Sequence, residues 1–522
     1  MCSYGDEHDN GALFEHDGVD HGARDLSVSR REMLAVLGGS AAALVSTGSV
    51  RAAQAPVQAA AVAAPPTESG KMTGTKFRAL VRITGGANGP VLALETVTMQ
   101  PIHPLQIVLR MTAAQTCYTT TAALATNATP VLQQAAVAAV TGGGRGAVVP
   151  TTPTLIPPAA APAGGRGAAP AAPAAGGRGG AAAPPPIAAA VTGHGGVGIV
   201  EQVGSMVKRV RPGDLVIMSI QAHCGTCATC LVGRADLCRG LVGRIAAPTG
   251  RLSDGTPVTM VGNGFSEFLV AWEEAAIPVW TTVPAAELSL LACVTSTGLG
   301  MAMCRIPVDP GSDVIVMGLG PVGMSALQGA RIQGARRIVG VDPIRYRRDL
   351  AMKLGATAVV DPNAEGANLQ TTLRNMVGDE AVGRQSVGQN GAGANFVLEA
   401  VGGTRFKPTV EAPTDLTGVQ ALANAYAVVG NPGVIRTCGI AYPGGSMLQI
   451  PAGAFSNGSI THAPGNFAGV QPLRDIPRFV KLAERGVLDL KSMVGVTMGP
   501  DKFKDALQVA ADRSAITSVV VA

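Results

Sequence analysis

The stretch Asp313-Val314-Ile315-Val316-Met317-Gly318-Leu319-Gly320-Pro321-Val322-Gly323 decides the reading of this chain. Its first five residues, apolar after Asp313, form a short run of the kind that makes a strand buried on both faces. A Gly-x-Gly-x-x-Gly turn and then a helical pattern follow. Gly318 permits the tight turn, Gly320 lets the backbone approach a pyrophosphate, and Gly323 allows close helix–strand packing. Pro321 and Val322 open a helix whose unpaired N–H groups suit phosphates. Asp342 ends the next apolar run, about twenty residues on, where an acid binds ribose hydroxyls and repels a 2′-phosphate. A glycine turn alone could arise by chance. With Asp342 it points to a dinucleotide, and to NAD rather than NADP.

Working outward, further apolar runs at 338–341, 358–361, 395–401 and 434–438 alternate with helical segments. Near-continuous apolar strands separated by helices indicate a parallel sheet covered on both faces. Upstream, residues 77–83 read as a strand, and 106–111 as a second one leading into Cys117. Downstream come helix-like stretches at 472–484 and 502–511 and a closing strand at 517–522.

The chain has nine cysteines, four of them in the pattern Cys224-x-x-Cys227-x-x-Cys230-x7-Cys238. Four thiolates so spaced can close a tetrahedral shell around one zinc with no open position, which makes a structural site. A pair of disulfides is the rival reading, because the N-terminus carries what reads as an export signal.

Three further segments carry candidate ligands. They are Thr116-Cys117-Tyr118-Thr119-Thr120, Gly193-His194-Gly195-Gly196-Val197-Gly198 and Ala292-Cys293-Val294-Thr295-Ser296-Thr297-Gly298. Singly, Cys117 and Cys293 read as small buried hydrophobes and His194 as a core histidine. In this order, with the four-cysteine lobe and the glycine turn, they resemble the zinc-dependent medium-chain dehydrogenase/reductase (alcohol dehydrogenase) family. The resemblance covers nearly all of 75–522.

It implies an α/β protein with a GroES-like, mostly-β catalytic domain and a Rossmann coenzyme domain, a doubly wound parallel sheet. The expected boundaries are 75–294 for the catalytic domain, 295–462 for the NAD-binding domain, and 463–522 for a return to the catalytic domain. It further implies a catalytic zinc on Cys117, His194 and Cys293, with the fourth position open to water or substrate oxygen. Thr119 would relay the alcohol proton. Thr297 would lie beside the nicotinamide, and Arg347 would join Asp342 in binding the coenzyme. Two zinc ions per chain, NAD, a small alcohol or aldehyde substrate, and a homo-oligomer (dimer or tetramer) complete the expectation.

The sequence departs from the family pattern in four places. Thr120 stands where an acid is usual, Gly195 where Glu usually follows the histidine, and Ala122 where a relay histidine often sits. An arginine expected for the pyrophosphate is not evident around Ile516 and Thr517. Such outer groups orient ligands and tune metal affinity. Three functions follow as alternatives: a dehydrogenase with exchanging NAD, an exported oxidoreductase or dismutase that keeps its NAD, and a catalytically silent scaffold. Zinc content and coenzyme release discriminate them.

Composition bounds the rest. Hydrophobic residues make up 47% of 522, enough for a large core, whereas 68 glycines, 36 prolines and only 3% aromatics leave part of the chain outside it. A net charge of +5 with no basic, aromatic-interleaved stripe excludes a nucleic-acid reader. Residues 129–190 are Ala/Pro/Gly-rich with a recurring Gly-Gly-Arg-Gly, which predicts a disordered insertion over an arginine–glycine RNA-binding tract. Ser29-Arg30-Arg31-Glu32-Met33-Leu34, a mildly apolar stretch and Ala53-Gln54-Ala55 resemble a twin-arginine export signal spanning 1–55, with a linker at 56–74. The expected location is therefore periplasmic or extracellular, or cytoplasmic if the signal is not used. No segment reads as a membrane span.

Overall fold

The computed structural model describes residues 67–85, 89–125, 188–241, 248–260, 262, 264–377, 393–440, 447–450 and 459–522, and the backbone of 137–139. The export-signal motif and most of the 129–190 segment lie outside the described residues.

The strand expected at 77–83 is Lys76–Thr84, which pairs antiparallel with Val91–Met99. Alternation puts Phe77, Ala79 and Val81 on the inside with Val97 and Met99. With Gly250–Arg251, Pro257–Thr259 and Ala188–Val191 these strands close a small barrel. The neighbouring sheet is built on Gln106–Gln115, buried along most of its length. It runs Ala276–Pro278, Leu215–Met218, Gly196–Val203, Gln106–Gln115, Ser518–Val521, Val496–Met498, and Phe268–Trp272 also pairs with Gln106–Gln115. The C-terminal strand thus closes back onto the strand that delivers Cys117.

The coenzyme sheet has the order Ala358–Val360, Arg337–Val341, Asp313–Met317, Ala394–Glu399, Val429–Thr437, Ile460–Pro464, with every pair parallel. Numbered along the chain this is 3-2-1-4-5-6, the doubly wound order. The strand order reverses between Asp313–Met317 and Ala394–Glu399, and a ligand crevice opens there. Asp313–Met317 is buried at all five positions: Val314–Met317 are apolar, and Asp313 is ion-paired with Arg336 and Arg337.

Three expected boundaries differ from the structure. Residues 67–74 are folded rather than linker: Glu68 and Ile102 exchange backbone hydrogen bonds, and Met72 joins the barrel core. Within the 129–190 segment, Val137–Ala139 is a strand parallel to Met447–Gln449, and residues 188–190 belong to the barrel strand Ala188–Val191. Three alanines ending in Val191 suffice for a strand there, because the barrel neighbours supply the apolar contacts. The last coenzyme strand runs to Pro464, slightly past the expected edge.

Candidate active site and coenzyme cleft

Three separate elements bring the catalytic candidates together. Gln106–Gln115 leads into Cys117 two residues on, and the Thr116 N–H donates to the Ser518 carbonyl at 2.9 Å, which fixes that end to the C-terminal strand. The barrel strand Ala188–Val191 leads to His194. Cys293 sits at the break between the 3-10 turn Leu290–Ala292 and the helix Val294–Met303. One ligand atom from each of Cys117, His194 and Cys293 lies within 4.8 Å of the others. Contact with the Cys293 thiol, opposed by burial and helped by His194, holds Cys117 well below the ordinary thiol range. The same contact, with burial, pushes Cys293 well above it. Two sulfurs and an imidazole brought together in this way are donor types that zinc takes. The Thr119 hydroxyl donates to Cys117 Sγ at 3.1 Å. His194 Nδ1 is buried without a hydrogen-bond partner among the described residues, an orphaned donor that fits a metal ligand set.

The four-cysteine lobe also converges. Its sulfurs stand 4.0 Å (Cys224–Cys230), 3.5 Å (Cys227–Cys230), 3.9 Å (Cys227–Cys238) and 3.6 Å (Cys224–Cys238) apart. A tetrahedron of sulfurs about 2.3 Å from a zinc has edges of roughly 3.8 Å, so the donors fit that ion. Disulfide sulfurs would be about 2.05 Å apart. All four cysteines are free thiols, and the disulfide alternative does not apply.

Beside Cys117 lies a cavity of about 620 Å³ that runs along the switch point of the coenzyme sheet. Gly318, Gly320, Pro321, Val322, Asp342 and Arg347 line it. Gly323 packs underneath, where a Cβ would collide with the Gly318 carbonyl. Helix Pro321–Ile332 starts at Gly320 with no side-chain cap, leaving its first N–H groups to the cavity. Asp342 is buried and accepts from the Leu319 N–H and the Ile344 N–H, each at 2.8 Å. Oδ1, which accepts from Ile344, keeps a second acceptor site. Arg347 Nη1 stands 3.6 Å from Asp342 Oδ2. Thr297, by contrast, donates its hydroxyl to the Cys293 carbonyl at 2.9 Å and does not line the cavity, whereas Val294 does.

Two of the family departures have a local cause. Gly195 has φ +49, and a Cβ there would lie 2.5 Å from the Met218 carbonyl oxygen and 2.9 Å from Ala292 Cβ. A glutamate does not fit. Ala122 points to solvent, away from any relay.

Sequence reasoning missed Arg405 and Arg513, both of which line the cavity. The Arg513 guanidinium lies 4.9 Å from the Tyr118 ring centre and donates to Thr404 Oγ1 at 2.8 Å. It occupies a left-handed position after the helix Phe503–Asp512, three residues before the position searched. Arg405 lies between the strand Ala394–Glu399 and the helix Val419–Val428, where no pattern marks a role. Glu399, also unremarked, ends its strand fully buried. Burial pushes its carboxyl up to about 8, against hydrogen bonds from the Val401 and Gly439 N–H groups.

Comparisons with known proteins agree with this arrangement. Residues 173–281 match the alcohol dehydrogenase GroES-like domain, and residues 321–414 the zinc-binding dehydrogenase domain. The chain is 30% identical over 331 residues to alcohol dehydrogenase B of Mycobacterium tuberculosis (strain ATCC 25618 / H37Rv), covering 60% of this chain and 79% of that protein. It is 30% identical over 339 residues to S-(hydroxymethyl)glutathione dehydrogenase of Escherichia coli O157:H7, covering 63% and 84%. Among solved structures, benzyl alcohol dehydrogenase from Acinetobacter calcoaceticus superposes with a TM-score of 0.60 at 21% identity, over 86% of this chain and 99% of that one.

Proposed function

The chain belongs to the zinc-dependent medium-chain alcohol dehydrogenase family, and from that premise we propose that it oxidises an alcohol, or reduces the matching carbonyl compound, with NAD at a zinc held by Cys117, His194 and Cys293. The family membership makes it a zinc-type alcohol or aldehyde oxidoreductase. The observation that carries the finer reading is the convergence of those three ligand atoms within 4.8 Å at one end of a cleft whose wall is the glycine turn.

When held by Cys117, His194 and Cys293, zinc would supply polarisation of the substrate oxygen, and a nicotinamide coenzyme in the cleft would supply the hydride chemistry. The protein's own part is positional. The Thr119 hydroxyl, which donates to Cys117 Sγ, would take up and pass on the alcohol proton, and that contact supports the role. Asp342 favours ribose hydroxyls, and its charge opposes a 2′-phosphate, which supports NAD over NADP. The four-cysteine lobe would hold a second, structural zinc.

The twin-arginine motif supports action outside the cytoplasm, after the folded protein has been loaded with zinc and coenzyme. A homo-oligomer is the expected assembly. Elemental analysis of the purified protein, with identification of nucleotide released on denaturation, tests the reading. Two zinc ions per chain together with NAD are expected. A zinc-free protein, or one carrying NADP, would sink it.

A further inference from the structure

Residues 402–418 leave the end of strand Ala394–Glu399 and return to the helix Val419–Val428. The neck of this excursion is tied shut, with the Thr404 N–H donating to the Leu416 carbonyl at 2.7 Å. Loops with closed ends and packed side chains are rarely idle. This one follows the cleft from end to end. At the catalytic end, the Arg405 N–H donates to Tyr118 Oη at 2.9 Å and its guanidinium to the Thr119 carbonyl at 3.1 Å. Phe406 is buried among catalytic-domain side chains, in one cluster with Leu124, Phe503 and Leu507. The Thr409 N–H donates to the Asp512 carbonyl at 3.1 Å. At the far end, Asn363 Nδ2 donates to the Ala412 carbonyl at 2.9 Å, beside the short helix Pro362–Glu365. Arg405, Pro413, Thr414 and Asp415 line the same cavity as the glycine turn.

We infer that residues 404–416 are a strap that bolts the coenzyme sheet to the loop bearing Cys117 and Thr119, making the coenzyme a resident group rather than one exchanged at each turnover. The inference rests on the coenzyme reading above. A dinucleotide lying along the switch point would have this segment as one wall of its cleft, so its release would be coupled to movement of that wall. Moving it breaks the Arg405 and Thr409 bonds and withdraws Phe406 from a core, and these events must coincide. Release is therefore slow even where binding contacts to the nucleotide are ordinary, because such differences fall mainly on the off-rate. The strap also makes Arg405 a positioning residue, since its guanidinium fixes the carbonyl of the proposed proton relay.

The test uses NADH and the full-length protein. Wild type, Arg405→Ala and Phe406→Ala are loaded with NADH and desalted, and the retained nucleotide is measured after denaturation. Release is then timed by fluorescence on adding excess NAD. Wild type should keep most of its NADH through desalting, and each variant should release it at least about tenfold faster. Arg405→Ala removes no buried apolar group, so it remains informative if Phe406→Ala does not fold. Equal release rates in wild type and Arg405→Ala overturn the strap while leaving the coenzyme reading intact. Failure of wild type to take up any NADH overturns both.

Discussion

The Thr119 hydroxyl donates to the Cys117 sulfur at 3.1 Å, so the proposed proton relay and a proposed metal ligand already touch. A relay group must sit within hydrogen-bond reach of the proton it moves, and such groups contribute about 10²–10⁴-fold to rate. Thr119→Val should therefore lower kcat by at least about a hundredfold while zinc content stays at the wild-type value. Thr119→Ser should restore most of the rate. If Thr119→Val turns over normally, the proton leaves by another route.

The four-thiolate lobe predicts a different failure. Structural zinc contributes folding free energy directly. Cys227→Ser should lose one zinc per chain and lower the thermal midpoint by several degrees, whereas Cys293→Ser should lose the other zinc and abolish turnover with the fold retained. Elemental analysis with thermal unfolding decides this. A Cys227→Ser protein with full zinc and wild-type stability would remove the structural role.

Glu399 gives a pH signature. Burial raises its carboxyl to about 8 from an ordinary 4.5. Between those values the folded state holds a proton that the unfolded chain has released, so stability falls as pH rises. The contribution is fully present below about 4.5 and is lost by about 8. Denaturant titrations from pH 5 to 9 should show that decline in wild type and a flatter profile in Glu399→Gln. Parallel profiles for the two proteins would contradict it.

Asp342 and Arg347 should set coenzyme choice. The guanidinium stands 3.6 Å from the carboxylate, and removing the carboxylate leaves a cation facing the cavity. Asp342→Ala should reduce the NAD-to-NADP ratio of kcat/KM by at least about tenfold, since an arginine accommodates a 2′-phosphate. An unchanged ratio would mean that Asp342 serves only the backbone of residues 319 and 344, whose N–H groups it accepts.

Restoring the family's acid next to the histidine should harm rather than help. Gly195→Glu asks a side chain to occupy φ +49 with its Cβ 2.5 Å from the Met218 carbonyl. Backbone strain of this kind costs about 1–3 kcal/mol before the clash is counted. Lower solubility or a lower thermal midpoint is expected, and a stable, more active Gly195→Glu protein would refute the steric account.

The sequence by itself determined the doubly wound half and the four-cysteine lobe, because both are local. A buried parallel strand, a glycine turn and the following acid fall within thirty consecutive residues, and four cysteines within fifteen. Their spacing carries their geometry. The candidate catalytic set was legible only by resemblance, since Cys117, His194 and Cys293 are separated by most of a domain and meet because a strand end, a barrel edge and a helix break converge. Tertiary structure alone decided the rest. It explained Gly195 through a carbonyl from a neighbouring strand, and it placed Thr297 against its own helix rather than in the cleft. It also brought Arg405 and Arg513 onto Tyr118 from segments that carry no pattern. Long-range contacts of that kind depend on what the rest of the chain places opposite, which the spacing of neighbouring residues does not encode.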